Sequence, residues 1–416
     1  MSASSSHSQA SNASRGWMRS IGGAALWTLA QHASFFACAW GVSWWAGADR
    51  FGAYGQGLAL TAMLSAAITF RLEYAGQLER RHRRAEALFS LAERGALACG
   101  LLLLLVLLLV DQWLPVPIWL WASMCAVFPQ AGVLVLASQA ARRGDVVRAA
   151  ALRSGPALVM VLLLLVAWGA GWNGAIEWSI PVAAWICWIA ARWLAFTRRA
   201  PRSRKTTPVA KVAAFHAPFV RAELPAFLLN ASANHGQVLL IGVLGGDAVA
   251  GVAALALRIA MLPTSVFGLA LADRLRARVV STGLTPALRA VVHQAIRRMS
   301  GLSLVVHGVA ALGAWWLLPF VFPAQGSALV TAVLVLLPLG AIRFVASPLA
   351  FVLPWRGWLG LSLIGQCLLF ACALCSVLLG FPSGGLMGVA AAYAISAAIV
   401  YLGYVYVVLA AVRTDT

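Results

Sequence analysis

The chain has 416 residues, 62% of them hydrophobic and 10% charged, with a mean hydropathy of +0.86 and a formal net charge of +19. So much apolar surface excludes a water-soluble globule and points to a polytopic membrane protein. The 31 Lys and Arg gather in loops beside apolar runs, without interleaved aromatics, which suits anionic lipid headgroups and argues against nucleic acid as a partner.

Residues 1–19 are Ser-rich and read as a disordered tail, and the apolar run that follows is too long for a cleaved leader. Segments able to cross a hydrocarbon core of ~30 Å then occur at about 20–46, 51–76, 91–110, 114–139, 150–170, 175–196, 219–243, 248–272, 299–321, 326–349, 355–380 and 385–412. The expected fold is therefore all-α, with about twelve transmembrane helices. Arg50 falls in one loop and Arg258 inside a helix, whereas the other 29 cations lie on the opposite side from Arg50 or at its helix ends. By the positive-inside rule that side is cytoplasmic, and an even number of crossings puts both termini there.

A basic, proline-broken linker at 198–218 divides the chain into six-helix bundles at 20–197 and 219–412. Pairing Asp49 with Asp247 at the first outer turn of each bundle, with one gap to bring Gly52 opposite Gly251, suggests parallel repeats. The seven cysteines sit in apolar segments without metal-ligand spacing and read as packing residues.

No HExxH, P-loop, paired CxxC or GxSxG motif is present, so no catalytic residue, metal site or cofactor is expected. Ionisable and amide side chains at membrane depth carry the information instead, because charge there is costly and usually functional. Arg258 lies about ten residues into its span, near the midplane. Arg71, Arg221 and Arg343 approach from the cytoplasmic side, and these four are the candidate substrate-binding residues. Arg71 and Glu73 are two residues apart and, on a continuous helix, cannot satisfy one another. Candidate polar residues of a cavity are Gln31 and His32 in the first span, Glu73 in the second, Glu223, Asn230, Asn234, His235 and Gln237 in the seventh, and His307 in the ninth. Pro225 and Pro263 are candidate hinges. With cations at depth and carboxylates only near helix ends, the cavity favours an anion.

These residues resemble bacterial polysaccharide-biosynthesis transporters, including O-antigen flippases, of the multidrug, oligosaccharidyl-lipid and polysaccharide exporter superfamily. The likeness rests on Gln31, Phe51-Gly-Ala-Tyr54, Phe70-Arg-Leu-Glu-Tyr-Ala75 and Glu86-Ala-Leu-Phe89 in the first half. In the second it rests on Leu224-Pro225, the run from Asn230 to Gln237, Leu257-Arg-Ile259, Leu262-Pro-Thr-Ser265 and Gly385-Leu-Met-Gly388. Two departures stand out: Gly251-Val252 replaces the usual Gly-x-Tyr, and His235 with Gln237 stands where an acidic residue often occurs.

The resemblance implies export of a polyprenyl-pyrophosphate-linked oligosaccharide across the bacterial cytoplasmic membrane, by two bundles rocking about a central cavity. Proton or sodium would drive the cycle, and a polysaccharide polymerase and other assembly proteins would be partners beside membrane lipid. A small-molecule or drug antiporter of the same superfamily is the first rival. A membrane glycosyltransferase or polymerase is the second, opposed by the short exterior loops.

Overall fold

The computed structural model describes residues 4–79, 81–197, 209–282, 285, 287–323 and 326–413, and among them only helices, turns and bends occur. In chain order the helices are α1 (Ser4–Ala67), α2 (Leu72–Leu78), α3 (His82–Asp111), α4 (Ile118–Arg142), α5 (Val146–Gly169) and α6 (Ser179–Thr197). Then come α7 (Val209–Ala231), α8 (Gln237–Ala260), α9 (Leu262–Thr282), α10 (Ala287–Val321), α11 (Gly326–Ala346), α12 (Val352–Trp355) and α13 (Leu359–Ala411). Among the described residues seven helices are long and apolar enough to cross a membrane, or eight if the bent pair ending in α2 is one span. Most of the expected linker, 198–208, lies outside the described residues, and its remainder is the first part of α7.

Some of these helices are too long to be single rods. At ~1.5 Å per residue a rod of α13's length would far exceed a bilayer. Glycines break it: Gly384 and Gly385 leave helical geometry, and a Cβ on Gly388 would meet the carbonyl oxygen of Gly380 at 2.1 Å, so the two arms fold back on each other. In α8 the break is Gly246 (φ 83, ψ 168), beyond which Ala250 returns beside Gly242. Gly47 breaks α1 with nearly the same angles (φ 85, ψ 174). A positive φ with extended ψ is open essentially only to glycine.

The shared conformation pairs Gly47 with Gly246, and the same spacing pairs Gly52 with Gly251 without a gap. The register that matched Asp49 with Asp247 is thus off by one residue. A short acidic side chain tolerates either side of a turn, whereas the left-handed backbone fixes the glycine. The side chain of Asp49 itself lies outside the described residues.

Helices α1–α6 pack chiefly among themselves, as do α7–α13, and the two sets meet mainly along α1, α8 and α9. The glycine pair marks a close approach. A Cβ on Gly52 would lie 2.3 Å from the carbonyl oxygen of Asp247, and one on Gly251 would lie 2.7 Å from the Phe51 ring. Beside them Gln56 Nε2 donates to Asp247 Oδ1 at 2.7 Å. A buried apolar cluster that includes Cys38, Tyr54, Ile180, Leu255, Leu336 and Tyr393 runs through both sets. The outward faces carry Leu101, Leu105, Leu109, Trp315 and Leu379, all more than half exposed, as a lipid-facing surface requires. The seven cysteines are free; Cys38 is buried as packing, but Cys367 and Cys375 are exposed on the outer side of α13.

Candidate functional site: a cationic seam between the two halves

The seam begins where α8 ends. Pro263 has no N–H for the carbonyl of Ile259, so the helix stops at Met261 (φ −92, ψ −1) and restarts as α9, with Pro263 in its first turn. Arg258 sits in the last turn before this break. Its guanidinium lies 4.6 Å from the ring centre of Phe35 on α1, a cation–π contact worth about 0.5–2 kcal/mol. Among the described residues no carboxylate pairs with it. His32 and His235 are both within its electrostatic reach, one from each half. His32 Nδ1 is buried without a hydrogen-bond partner.

His235 belongs to a π turn, Ser232–Gly236, between α7 and α8. The local cause is the amide before it. Asn234 Nδ2 donates to the Asn230 carbonyl at 2.6 Å, the oxygen that its own backbone N–H would use in an α-helix. Such competition loosens the ladder by one residue, and π turns of this kind cluster at functional sites. A chain of polar side chains continues from here: Asn230 Nδ2 donates to Gln366 Oε1 at 2.7 Å, and Arg343 Nη1 donates to Asn234 Oδ1 at 2.5 Å. Arg343 also lies 5.9 Å from the Tyr401 ring centre and within reach of His235. Gln366 was not singled out from the sequence, although an amide inside an apolar run was a legible signal.

The third cation is differently placed. Phe70 (φ 54) and Arg71 (φ 57) are both left-handed, and the chain turns by 57° between the second arm of α1 and α2. Two successive left-handed residues with side chains cost about 1–2 kcal/mol each. The expectation that Arg71 and Glu73 could not meet assumed an unbroken helix. The elbow overturns it: Arg71 Nη1 donates to Glu73 Oε1 at 2.9 Å, while Thr69 donates to Glu73 Oε2 at 2.6 Å. Glu73 is 2% exposed and Arg71 20%, so a buried carboxylate is held by a partly exposed guanidinium. Arg71 also lies 4.6 Å from the Phe227 ring centre across the seam, and Glu223, itself buried, is within its reach. Glu73→Gln removes the charge paired with Arg71, which is 20% exposed and also near Glu223, and should cost about 1–3 kcal/mol. The check is a melting temperature in detergent, which an unimportant pair would leave unchanged.

Other expectations are corrected. Arg221 is exposed on α7, whereas Glu223, two residues on, is buried. Pro225 is exposed within an unbroken α7, and the irregularity falls at the π turn instead. His307 is buried inside the second half, where Nδ1 meets the Ser303 carbonyl at 2.9 Å and the ring stands edge-on to Phe344 at 5.8 Å. It spaces α10 from α11 over Gly340 and faces no seam. Gln237 is 4% exposed and lines a narrow crevice with Ile241, Leu336 and Tyr393 within the second half. Gln31 is near Ser154 of α5, at 3.5 Å, and so helps to join α1 to its own bundle. Depth along a span was readable from sequence, but which face of the helix a residue occupies was not.

No protein-family model matches this sequence, and no curated protein is significantly similar to it. Among solved structures the fold is similar to a MATE transporter in complex with MaL6, with TM-score 0.70 and 14% identity over 95% of this chain and 97% of that one. An outward-facing multidrug resistance MATE family transporter of the MOP superfamily gives TM-score 0.65 and 16% identity over 95% and 97%. A MOP superfamily transporter from Pyrococcus furiosus, whose binding pocket is described as of reverse polarity, gives 0.58 and 15% over 95% of both chains. The chain has the fold of MATE transporters.

Proposed function

We propose that this chain is an alternating-access transporter of the MOP type whose cargo carries negative charge. The observation that carries the reading is Arg258: a cation between the two halves, within electrostatic reach of His32 and His235 and, among the described residues, paired with no carboxylate. The carboxylates nearby are committed or near another cation. Glu73 holds Arg71, Asp247 holds Gln56, and Glu223 lies beside Arg71. A carrier of lipophilic cations needs a carboxylate at that depth.

Two cargo classes are in play within this reading. The solved neighbours, some of them named multidrug resistance transporters, favour a small-molecule exporter. The seam's charge is also suited to a lipid-linked pyrophosphate, which Arg binds bidentately. We put the anionic small molecule or amphiphile first, with a lipid-linked oligosaccharide as its larger form. Farnesyl pyrophosphate and ethidium separate charge from hydrophobicity. In titrations of the purified protein, farnesyl pyrophosphate should bind and ethidium should not compete. Binding of ethidium alone would overturn the anionic reading and leave a cation antiporter.

The proposed topology takes the folded-back helices as separate arms, about twelve crossings in all, with the basic face cytoplasmic and both termini on it. A cysteine introduced at Ser203 in a background without native cysteines should resist an impermeant maleimide added to intact cells. Labelling from outside would invert the topology.

A further inference from the structure

At the basic face the two halves are joined by a contact that the seam does not explain. Glu79 follows α2 in the first half, and His216 lies near the start of α7 in the second; His216 Nε2 is 3.1 Å from Glu79 Oε2. Both side chains are nearly buried, at 12% and 9% exposure. Arg142, from the end of α4, donates to the carbonyl oxygens of Gly76 and Glu79 and so fixes the turn that presents the carboxylate. Aromatic contacts reinforce the junction: Tyr74 and Phe219 are 6.0 Å apart, and Arg84 lies 4.8 Å from the Phe215 ring centre.

We propose that Glu79 and His216 form a proton-dependent latch that closes the basic end of the transporter. The reasoning follows from charge. With a neutral imidazole the contact is an ordinary hydrogen bond, whereas a protonated one makes it a charge-assisted pair in a site that excludes most water. Opening this end must separate the pair, because the partners belong to different halves. Glu79 is suited to the carboxylate role. Burial works against its ionisation, but the Arg81 backbone N–H, His216 and Arg84 together hold its carboxyl below the usual carboxylate range.

Among the surrounding charges, Arg84 on α3 lies against Phe215 and also acts on Glu79, but it sits in the same half as Glu79 and does not bridge the halves; Arg142 spends its contacts on backbone carbonyls. Arg71 and Glu73 at α2 satisfy one another. Glu223 lies further along α7 beside Arg71, and α13, which also packs on α7, presents Tyr404 near Glu223. The sign is therefore set. A proton on His216 strengthens the latch and favours closure, and a proton on Glu79, whose carboxyl is held below its usual range, weakens it.

This rests on the alternating-access reading, so its test reads a distance and not transport. Spin labels are attached through a ketone-bearing residue at positions 143 and 290, at the basic ends of the two halves, with native cysteines left in place. In the reconstituted full chain the short-distance population should rise as pH falls from 8 to 5.5, by about two- to fivefold in the closed-to-open ratio. His216→Asn and, separately, Glu79→Gln should flatten that response. A wild-type pH response in both variants would overturn the latch. A distance that does not change with pH in the wild type overturns it as well, and one that stays short whatever is added also tells against rocking itself. If His216→Asn fails to fold, Glu79→Gln, which keeps the side chain's size, decides alone.

Discussion

Arg258→Ala will weaken binding of farnesyl pyrophosphate by about ten- to a hundredfold, the loss of one hydrogen-bonded charge, while the purified protein keeps a melting temperature within a few degrees of wild type. The second half of that expectation follows from the site. Arg258 has no ion pair to leave behind, and its contact with Phe35 contributes modestly. Lysine should recover part of the affinity, since it restores the charge without the planar fork. Arg221→Ala serves as the control, because Arg221 is exposed and should change neither binding nor stability. A protein that unfolds on loss of Arg258 would show a structural clamp, and normal affinity in a folded Arg258→Ala would remove the residue from the binding site.

Gly52→Val should have a large structural effect at the contact between the halves. Its new Cβ would fall 2.3 Å from the Asp247 carbonyl oxygen and 2.7 Å from the carbonyl carbon. These are backbone atoms of the other half, so nothing flexible can turn away. The halves must separate at this end, break the Gln56–Asp247 bond, or lose stability by the 1–3 kcal/mol or more typical of overpacking. A label pair at positions 113 and 323 should lengthen by several ångströms, or the melting temperature should fall. Gly251→Ala is the milder companion, since its clash is with the Phe51 ring, which can rotate. Unchanged distance and stability in Gly52→Val would mean that the glycine contact is not where the halves bear on each other.

What could be read from the sequence was set by periodicity and charge. The long apolar runs announced helices, and glycines beside aspartates announced the turns at Gly47 and Gly246. Three things were out of reach for a physical reason. The left-handed pair Phe70 and Arg71 has no compositional sign, since neither residue type favours positive φ, and so the meeting of Arg71 with Glu73 looked forbidden. The facing of His307 and Arg221 depends on rotation about the helix axis, which depth does not determine. The latch was hidden because Glu79 sits in a run of arginines that reads as solvated, and His216 adjoins the basic linker. By contrast, the cluster from Asn230 to Gln237 was legible as polar matter in an apolar helix, though its partner Gln366 was passed over.

The register fixed by Gly47 with Gly246 and Gly52 with Gly251 has a chemical corollary. Counting the same number of residues along the two paired helices places Ala59 opposite Arg258. Ala59 is buried and apolar. Arg343 and the π turn likewise belong to the second half. Arg258 and Arg343 thus belong to the second half, while the first half offers Phe35 and His32 near Arg258 and holds its own cation, Arg71, on Glu73. On the proposed reading an amphiphilic anion lying across the seam would be anchored by its charged end to the second half, with its tail on the first. Tilting the halves about the glycine contact would then carry head and tail on different arcs.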